Sequence, residues 1–274
     1  MSLSEFFGIG GYSRPAEGYM SWQHLTFVTT LTLIMVLLAV FLGRKNKNNS
    51  QKDKNKVLII SAILIDAIEI FKIVMMCIRS EDAFYFIYEL PLFLCSIQLI
   101  TIPLAAFSKG RIKEASLDFV MIFGLLGALM GTFFAGNNYA AYPVISIDNV
   151  ASGLTHCISG FCSLYIMFSG LSSMKKQNIS ITSVILGGFC AAAYLVNLFT
   201  DCNYMFLMRG DGTPYDIIYN WVNSNAILYP LIVAGLFVIY IVGYYKVYYL
   251  ITEKVNKKKA QTVIETETKE TVNV

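Results

Sequence analysis

Apolar residues in this chain gather into long blocks separated by short polar segments. The first block, about 24–42, has the length of a membrane-crossing helix, which needs roughly 20 apolar residues. Comparable blocks follow at about 57–78, 90–107, 117–135, 150–171, 181–200 and 223–245. None shows the strict alternation of a half-buried strand, so the pattern predicts an all-α polytopic membrane bundle of about seven transmembrane helices. The first block is preceded by neither a basic segment nor a small-residue cleavage site, and it reads as a retained helix rather than a signal peptide. The expected organisation is an N-terminal segment (1–23), a seven-helix transmembrane domain (24–245) and a polar tail (246–274) that is disordered towards its end.

Charge orients this scheme. With seven helices the termini lie on opposite sides, and the basic residues divide sharply between the two faces. Seventeen fall in the segments after the first, third and fifth blocks and in the tail, against Arg14, Arg79 and Arg209 on the other face, with Lys72 inside a block. The positive-inside rule then predicts an outside N-terminus and a cytoplasmic C-terminus in a cell membrane. The same excess accounts for the net charge of +3, so no nucleic-acid partner is expected and the expected partners are membrane lipids. The oligomeric state is not encoded in any pattern we recognise.

Composition narrows the class. Apolar residues make up 56% of the chain and charged residues 14%, against about 25% charged in soluble domains, which excludes an ordinary soluble enzyme. The six cysteines form no CxxC pair and fall mostly within blocks, so neither a zinc site nor a disulfide framework is expected, and no cofactor or metal is called for.

Polar groups inside a bilayer are costly, which makes their positions the most informative part of the sequence. The fifth block carries Ser152, His156, Ser159 and Ser163 on one helical face. The sixth continues into Tyr194, Asn197, Asp201 and Tyr204 at helical spacing. The third holds Cys95 and Gln98, and the second holds Asp66 with a Glu69 and Lys72 pair at i, i+3. Counting 1.5 Å per residue from the predicted outer ends puts Cys95 and His156 both roughly 8 Å deep, with His24 and Glu89 at outer ends. The stripes are therefore expected to converge near the outer leaflet. Most intramembrane cysteines and serines only pack helices, as Gly127 and Gly131 also would, but a histidine in hydrocarbon needs partners.

The third block opens Glu89-Leu90-Pro91-Leu92-Phe93-Leu94-Cys95, and residues 197–208 read NLFTDCNYMFLM, followed by Pro214 and Trp221. Together these resemble the YwaF family of multi-pass membrane proteins, whose members carry an LPLHLC-like helix start and an NYM segment before the last helix. A vertebrate branch of the wider family, transmembrane protein 164, is similar to a phospholipid acyltransferase that uses an intramembrane cysteine and histidine. The resemblance implies Cys95 and His156 as catalytic residues. It also marks one departure, Phe93 where the family usually has histidine. Acyl transfer through cysteine needs a base and oxyanion donors, and Gln98, Asn197, Asn203 and Tyr204 are the candidate substrate-binding residues. The expected function is a cysteine-dependent lipid acyltransferase or hydrolase acting on phospholipid acyl esters at the outer leaflet. The alternatives are a transporter or binding protein using Asp66, Glu69, Lys72, Asn197 and Asp201, and a non-catalytic scaffold.

Overall fold

The computed structural model describes residues 2–272 apart from Ser173, with side chains as far as Lys257. Its elements in order are α1 (Leu3–Phe7), α2 (Trp22–Asn46), α3 (Gln51–Ser80), α4 (Gln98–Phe107), α5 (Gly110–Phe133), α6 (Gly136–Ala141), α7 (Ile147–Ser169), α8 (Asn178–Phe199), α9 (Tyr215–Trp221) and α10 (Leu228–Val272). Single 3-10 turns lie at Tyr85–Glu89 and Tyr204–Phe206, and no strand occurs among the described residues. The protein is thus a polytopic helical bundle. The tail, expected to be disordered towards its end, continues α10 as far as Val272.

Local chemistry sets the helix starts. The hydroxyls of Ser21, Ser50 and Ser146 accept the backbone N–H of His24, Asp53 and Asn149, capping α2, α3 and α7. Among the described residues, five helices are long and apolar enough to cross a membrane: Trp22–Asn46, Gly110–Ala141, Ile147–Ser169, Asn178–Phe199 and Leu228–Lys257. α3, with 30 residues, is longer than a bilayer core requires but carries Asp66, Glu69 and Lys72 within it.

The third block departs from expectation. Only Gln98–Phe107 is helical, and the ten residues of α4 rise about 15 Å, half the hydrocarbon thickness. Residues 90–97 form an irregular lead-in. Pro91 biases Leu90 to the extended conformation it adopts (φ −60°, ψ 146°). Further along, the Ser96 hydroxyl accepts from Phe93 N–H (3.0 Å) and donates to Phe93 C=O (3.2 Å), a local exchange that competes with helix formation. The last span also starts later than its apolar block, at Leu228 rather than near 223, with Asn223 and Ser224 in the left-handed conformation of a turn.

Buried side chains concentrate around α5 and α7, which pack on each other along most of their length, with α2 and α3 against the other sides of α7 and α8 against α5. The contact between α5 and α7 is close because Gly124 has no side chain. Ser159 donates to its carbonyl (3.4 Å) and Ser163 to that of Met121 (2.8 Å), so the serine stripe of α7 faces α5. The outward faces of α2, α3, α8 and α10 are apolar, as Leu37, Ile63, Val184 and Ile239 show, which suits a lipid solvent.

Two polar clusters tie the ends of the bundle. At the N-terminal face Arg79 of α3 forks onto both oxygens of Asp148 of α7 (2.8 Å each), Tyr12 donates to the same carboxylate (2.5 Å), and Tyr142 stacks on the guanidinium. Burial and the adjacent carboxylate push the Tyr12 phenol pKa up, so it stays a proton donor. At the opposite face Asp118 of α5 accepts from Asn178 (2.8 Å), Tyr245 (2.6 Å) and Ser172, joining α5, α8 and α10. The buried amide and phenol satisfy a carboxylate that hydrocarbon alone would make untenable.

Candidate functional site

The irregular lead-in to α4 is the first unusual feature, because non-helical backbone at membrane depth survives only where protein or a cavity surrounds it. Here it is enclosed by α5 and pinned by the 203–206 turn. Tyr204 donates to Ile87 C=O (2.5 Å) and accepts from Leu90 N–H (3.1 Å). That turn is itself held by Asn197, whose amide donates to Tyr204 C=O (3.0 Å) and accepts from Tyr204 N–H (2.8 Å). Asn203 donates to Arg209 C=O and Asp211 (2.7 Å each) and accepts from Met208 N–H (3.0 Å). These bonds offset the cost of Met205 and Phe206, both left-handed at φ 56° and costing of order 1–3 kcal/mol each.

The lead-in delivers Cys95, half-buried, to the start of α4. Its sulfur lies by the backbone N–H groups of Cys95 and Ser96, in the turn that precedes the first residue of α4. Across from it runs the glycine face of α5. A Cβ on Gly127 would lie 3.3 Å from Cys95 Cα and Cβ, and one on Gly131 would overlap the His156 ring. Gly127 and Gly131 are one helical turn apart, so their bare backbone forms a trough in which the Cys95 thiol and the His156 imidazole interact.

The tautomer of His156 follows from its contacts. Nδ1 donates to the carbonyl of Ser152 one turn earlier (2.7 Å), which leaves Nε2 with its lone pair. Nε2 is buried and faces the trough at Gly131, where the Cys95 thiol is the one polar group beside it among the described residues. His24, the other imidazole expected in this layer, is fully committed. Its Nδ1 accepts from Met20 N–H (3.2 Å), its Nε2 bonds Thr132 C=O (3.2 Å), and its ring lies 3.9 Å from that of Tyr139. His24 thus holds the residue next to Gly131 and has no free nitrogen for chemistry.

The other candidate residues divide into two groups. Gln98, the first residue of α4, is fully buried. Its carbonyl accepts from Thr101 (3.0 Å), while its Nε2 donor has no partner. Asn197, Asn203 and Tyr204 lie together but have their side-chain polar groups committed to the turn and the lead-in. The helical stripe expected through Asp201 and Tyr204 is interrupted, because α8 ends at Phe199 and the extended Thr200 redirects the chain. Phe93 packs its ring on Tyr204 (4.9 Å between centroids) and on Phe206 (6.3 Å), filling the turn.

The i, i+3 spacing pairs Lys72 with Glu69, but the ammonium also reaches Glu89 (2.7 and 2.9 Å), a second partner that spacing does not signal because it comes from the separate 3-10 turn at Tyr85–Glu89. On sequence alone Gly127 and Gly131 also read as packing residues. Their spacing was visible, but that they make room for Cys95 and His156 depended on the lead-in being irregular.

The TMEM164 family model matches residues 19–250. The chain belongs to the TMEM164 family. The match covers α2 through most of the apolar part of α10, including Cys95 and His156, and agrees with the resemblance carried by the 89–95 and 197–208 motifs. No curated protein and no solved structure matches the chain. Membership in the TMEM164 family and the apolar helices make it an integral, multi-pass membrane protein embedded among lipids.

Proposed function

We propose that this protein is a cysteine-dependent acyltransferase acting on phospholipid acyl esters from the outer leaflet of a cell membrane, with Cys95 as nucleophile and His156 as base. The observation that carries the reading is the buried Nε2 of His156, which no other side chain or backbone group satisfies and which has the Cys95 thiol as its neighbour, with Nδ1 locked on the Ser152 carbonyl. A lone pair left unpaired in hydrocarbon is costly, so a proton acceptor held ready next to a thiol favours chemistry over packing.

In this reading His156 Nε2 takes the Cys95 proton as sulfur attacks the ester carbonyl carbon. The carbonyl oxygen becomes an oxyanion for which the Cys95 and Ser96 N–H groups of the lead-in and the free amide donor of Gln98 are the available donors. The C–O bond then breaks, the leaving alkoxide takes the proton from His156, and the acyl group remains on sulfur as a thioester. An acceptor hydroxyl gives its proton to His156, attacks the thioester, and expels the Cys95 thiolate, which recovers that proton. Water as acceptor gives hydrolysis. Asn197, Asn203 and Tyr204 act in this scheme by fixing the lead-in that carries the nucleophile.

Transport is less well supported. Lys72 is neutralised between two carboxylates within the bundle, which suits a fixed tie rather than a mobile carrier. Purified protein presented with a phospholipid panel and a lysophospholipid acceptor should exchange acyl chains, and Cys95→Ser and His156→Ala should each abolish exchange. Absence of exchange and hydrolysis by folded wild-type protein across the panel would refute the proposal.

A further inference from the structure

The inner face of α3 carries more charge than packing needs. Ser61, Ile65, Glu69, Lys72, Met76 and Arg79 recur on it at helical spacing, and the helix runs antiparallel to α7. Near the N-terminal face of the bundle Arg79 binds Asp148, and Met76 packs with Ile147 and Ala151. Towards the other face Ser61 lies against Cys162. Between these fixed points the register brings Glu69 level with His156.

Glu69 is buried and binds Lys72 (2.7 Å), which also binds Glu89 (2.9 Å) at the end of the 3-10 turn that precedes the lead-in. Two carboxylates on one ammonium leave a net negative charge in a setting where charge is costly. His156 has the opposite need. Its Nδ1–H is held by the Ser152 carbonyl, a neutral acceptor, so no carboxylate bonded to that nitrogen offsets the charge the ring acquires with the Cys95 proton, as the aspartate of a Ser-His-Asp triad would. Around the ring α5 presents Gly131, the lead-in Cys95 and α7 itself Ser152, while α3 supplies the Glu69 carboxylate, whose field acts on the imidazole.

We infer that Glu69 is a positioning residue for the base, a carboxylate that stabilises the His156 imidazolium through space while Lys72 and Glu89 hold it in place. The inference rests on the acyl-transfer reading and deepens it by adding the charge on which the Cys95–His156 pair draws. The need is greatest when sulfur has attacked and its own charge has passed to the oxyanion. Glu69 takes no proton in the transfer: the proton goes from the Cys95 sulfur to His156 Nε2 and on to the leaving alkoxide, and the carboxylate stays ionised throughout. Glu89 is the residue before Leu90, so Lys72 also ties the start of the lead-in to the helix that carries Glu69.

The test reads Cys95 without any lipid substrate, so its outcome is separate from that of the transfer reaction. Full-length protein in detergent is treated at neutral pH with N-ethylmaleimide, and modification of the Cys95 peptide, whose rate follows thiolate content, is timed by mass spectrometry. Glu69→Gln leaves Lys72 paired with Glu89 and should slow Cys95 modification about ten-fold with the thermal transition nearly unchanged. Glu69→Asp keeps the charge and should restore the rate to within about three-fold of wild type. If Glu69→Gln fails to fold, Glu69→Gln/Lys72→Met replaces the buried pair with an uncharged one, keeps the Glu89 charge, and should slow Cys95 equally. In acyl exchange Glu69→Gln should lower kcat and leave KM within about two-fold. The expected Cys95 rates in a protein that exchanges no acyl groups would support the role of Glu69 and overturn the transfer reading alone. A native Cys95 rate in either folded variant, or a loss that Glu69→Asp does not repair, would overturn the inference.

Discussion

Gly131→Ala is the substitution that most sharply separates a catalytic trough from ordinary close packing. A methyl at this position would occupy the space of His156 Nε2 and Cδ2, and the ring cannot retreat freely because Nδ1 is bonded to Ser152 C=O at 2.7 Å. Overpacking of this kind costs about 1–3 kcal/mol, while replacing a helical glycine by alanine returns about 0.5–1 kcal/mol, so the net loss of stability is only about 1 kcal/mol. The effect on chemistry is larger, since displacing a catalytic group by about 1 Å costs on the order of 100-fold in rate. Gly127→Ala is gentler. Its Cβ would lie 3.3 Å from Cys95, a shift of a few tenths of an ångström, and less than about a ten-fold loss is expected. Gly188, with open space around its Cβ position, supplies a silent control. Two assays read the result: acyl exchange, and the rate at which a lipid-soluble alkylating reagent modifies Cys95, which follows thiolate content. Gly131→Ala should lower both to the level of His156→Ala with the thermal transition nearly unchanged. Native alkylation and exchange rates in Gly131→Ala would refute the trough argument.

Cys95→Ser and His156→Ala should each lower acyl exchange by at least about 100-fold with normal detergent-extracted yield, whereas Cys162→Ser, away from the trough, should leave exchange unchanged in the same assay. Tyr204→Phe removes the hydroxyl that bridges Ile87 and Leu90 and should cost about 1–3 kcal/mol in thermal unfolding, with a fall in exchange as the lead-in loosens. Asp148→Ala leaves Arg79 unpaired in a mostly buried setting and should cost about 3 kcal/mol, measurable as a lowered transition temperature. The raised pKa of Tyr12 means that the Tyr12–Asp148 bond stabilises the fold fully below the ordinary phenol range near 10, and that this contribution fades as pH rises through the folded-state value. Wild-type protein should therefore lose stability above about pH 10 more steeply than Tyr12→Phe in a pH series of melting curves.

The bundle was legible because hydrocarbon imposes a length and an apolarity that blocks such as 24–42 and 150–171 display openly. The face shared by Ser159 and Ser163 likewise followed from helical spacing and meets α5 as that spacing requires. The third block was misread as one continuous helix. Its apolarity matches a span, while the break depends on Pro91 and a single Ser96 hydroxyl acting locally. Periodicity also carried Asp201 and Tyr204 onto a helical face that ends at Phe199, since a pattern of side chains holds no information about where backbone bonding stops. Cys95 and His156 were visible as a thiol and an imidazole at similar depth. Their meeting over Gly127 and Gly131 was not, because it needs the lateral order of helices, which composition and spacing do not contain. The distinction between His24 and His156 came only from their bonding: His24 uses both nitrogens on backbone groups, and His156 leaves one free.

The central claim is a thioester on Cys95, and the most direct measurement is to trap it. Wild-type protein incubated with a chain-labelled phospholipid without acceptor, quenched in acid and digested, should yield a peptide carrying the labelled acyl group on Cys95. That label should be released by neutral hydroxylamine and be absent from His156→Ala. A Cys95 peptide that stays unmodified while the folded protein transfers label from donor to acceptor lipid would contradict the account.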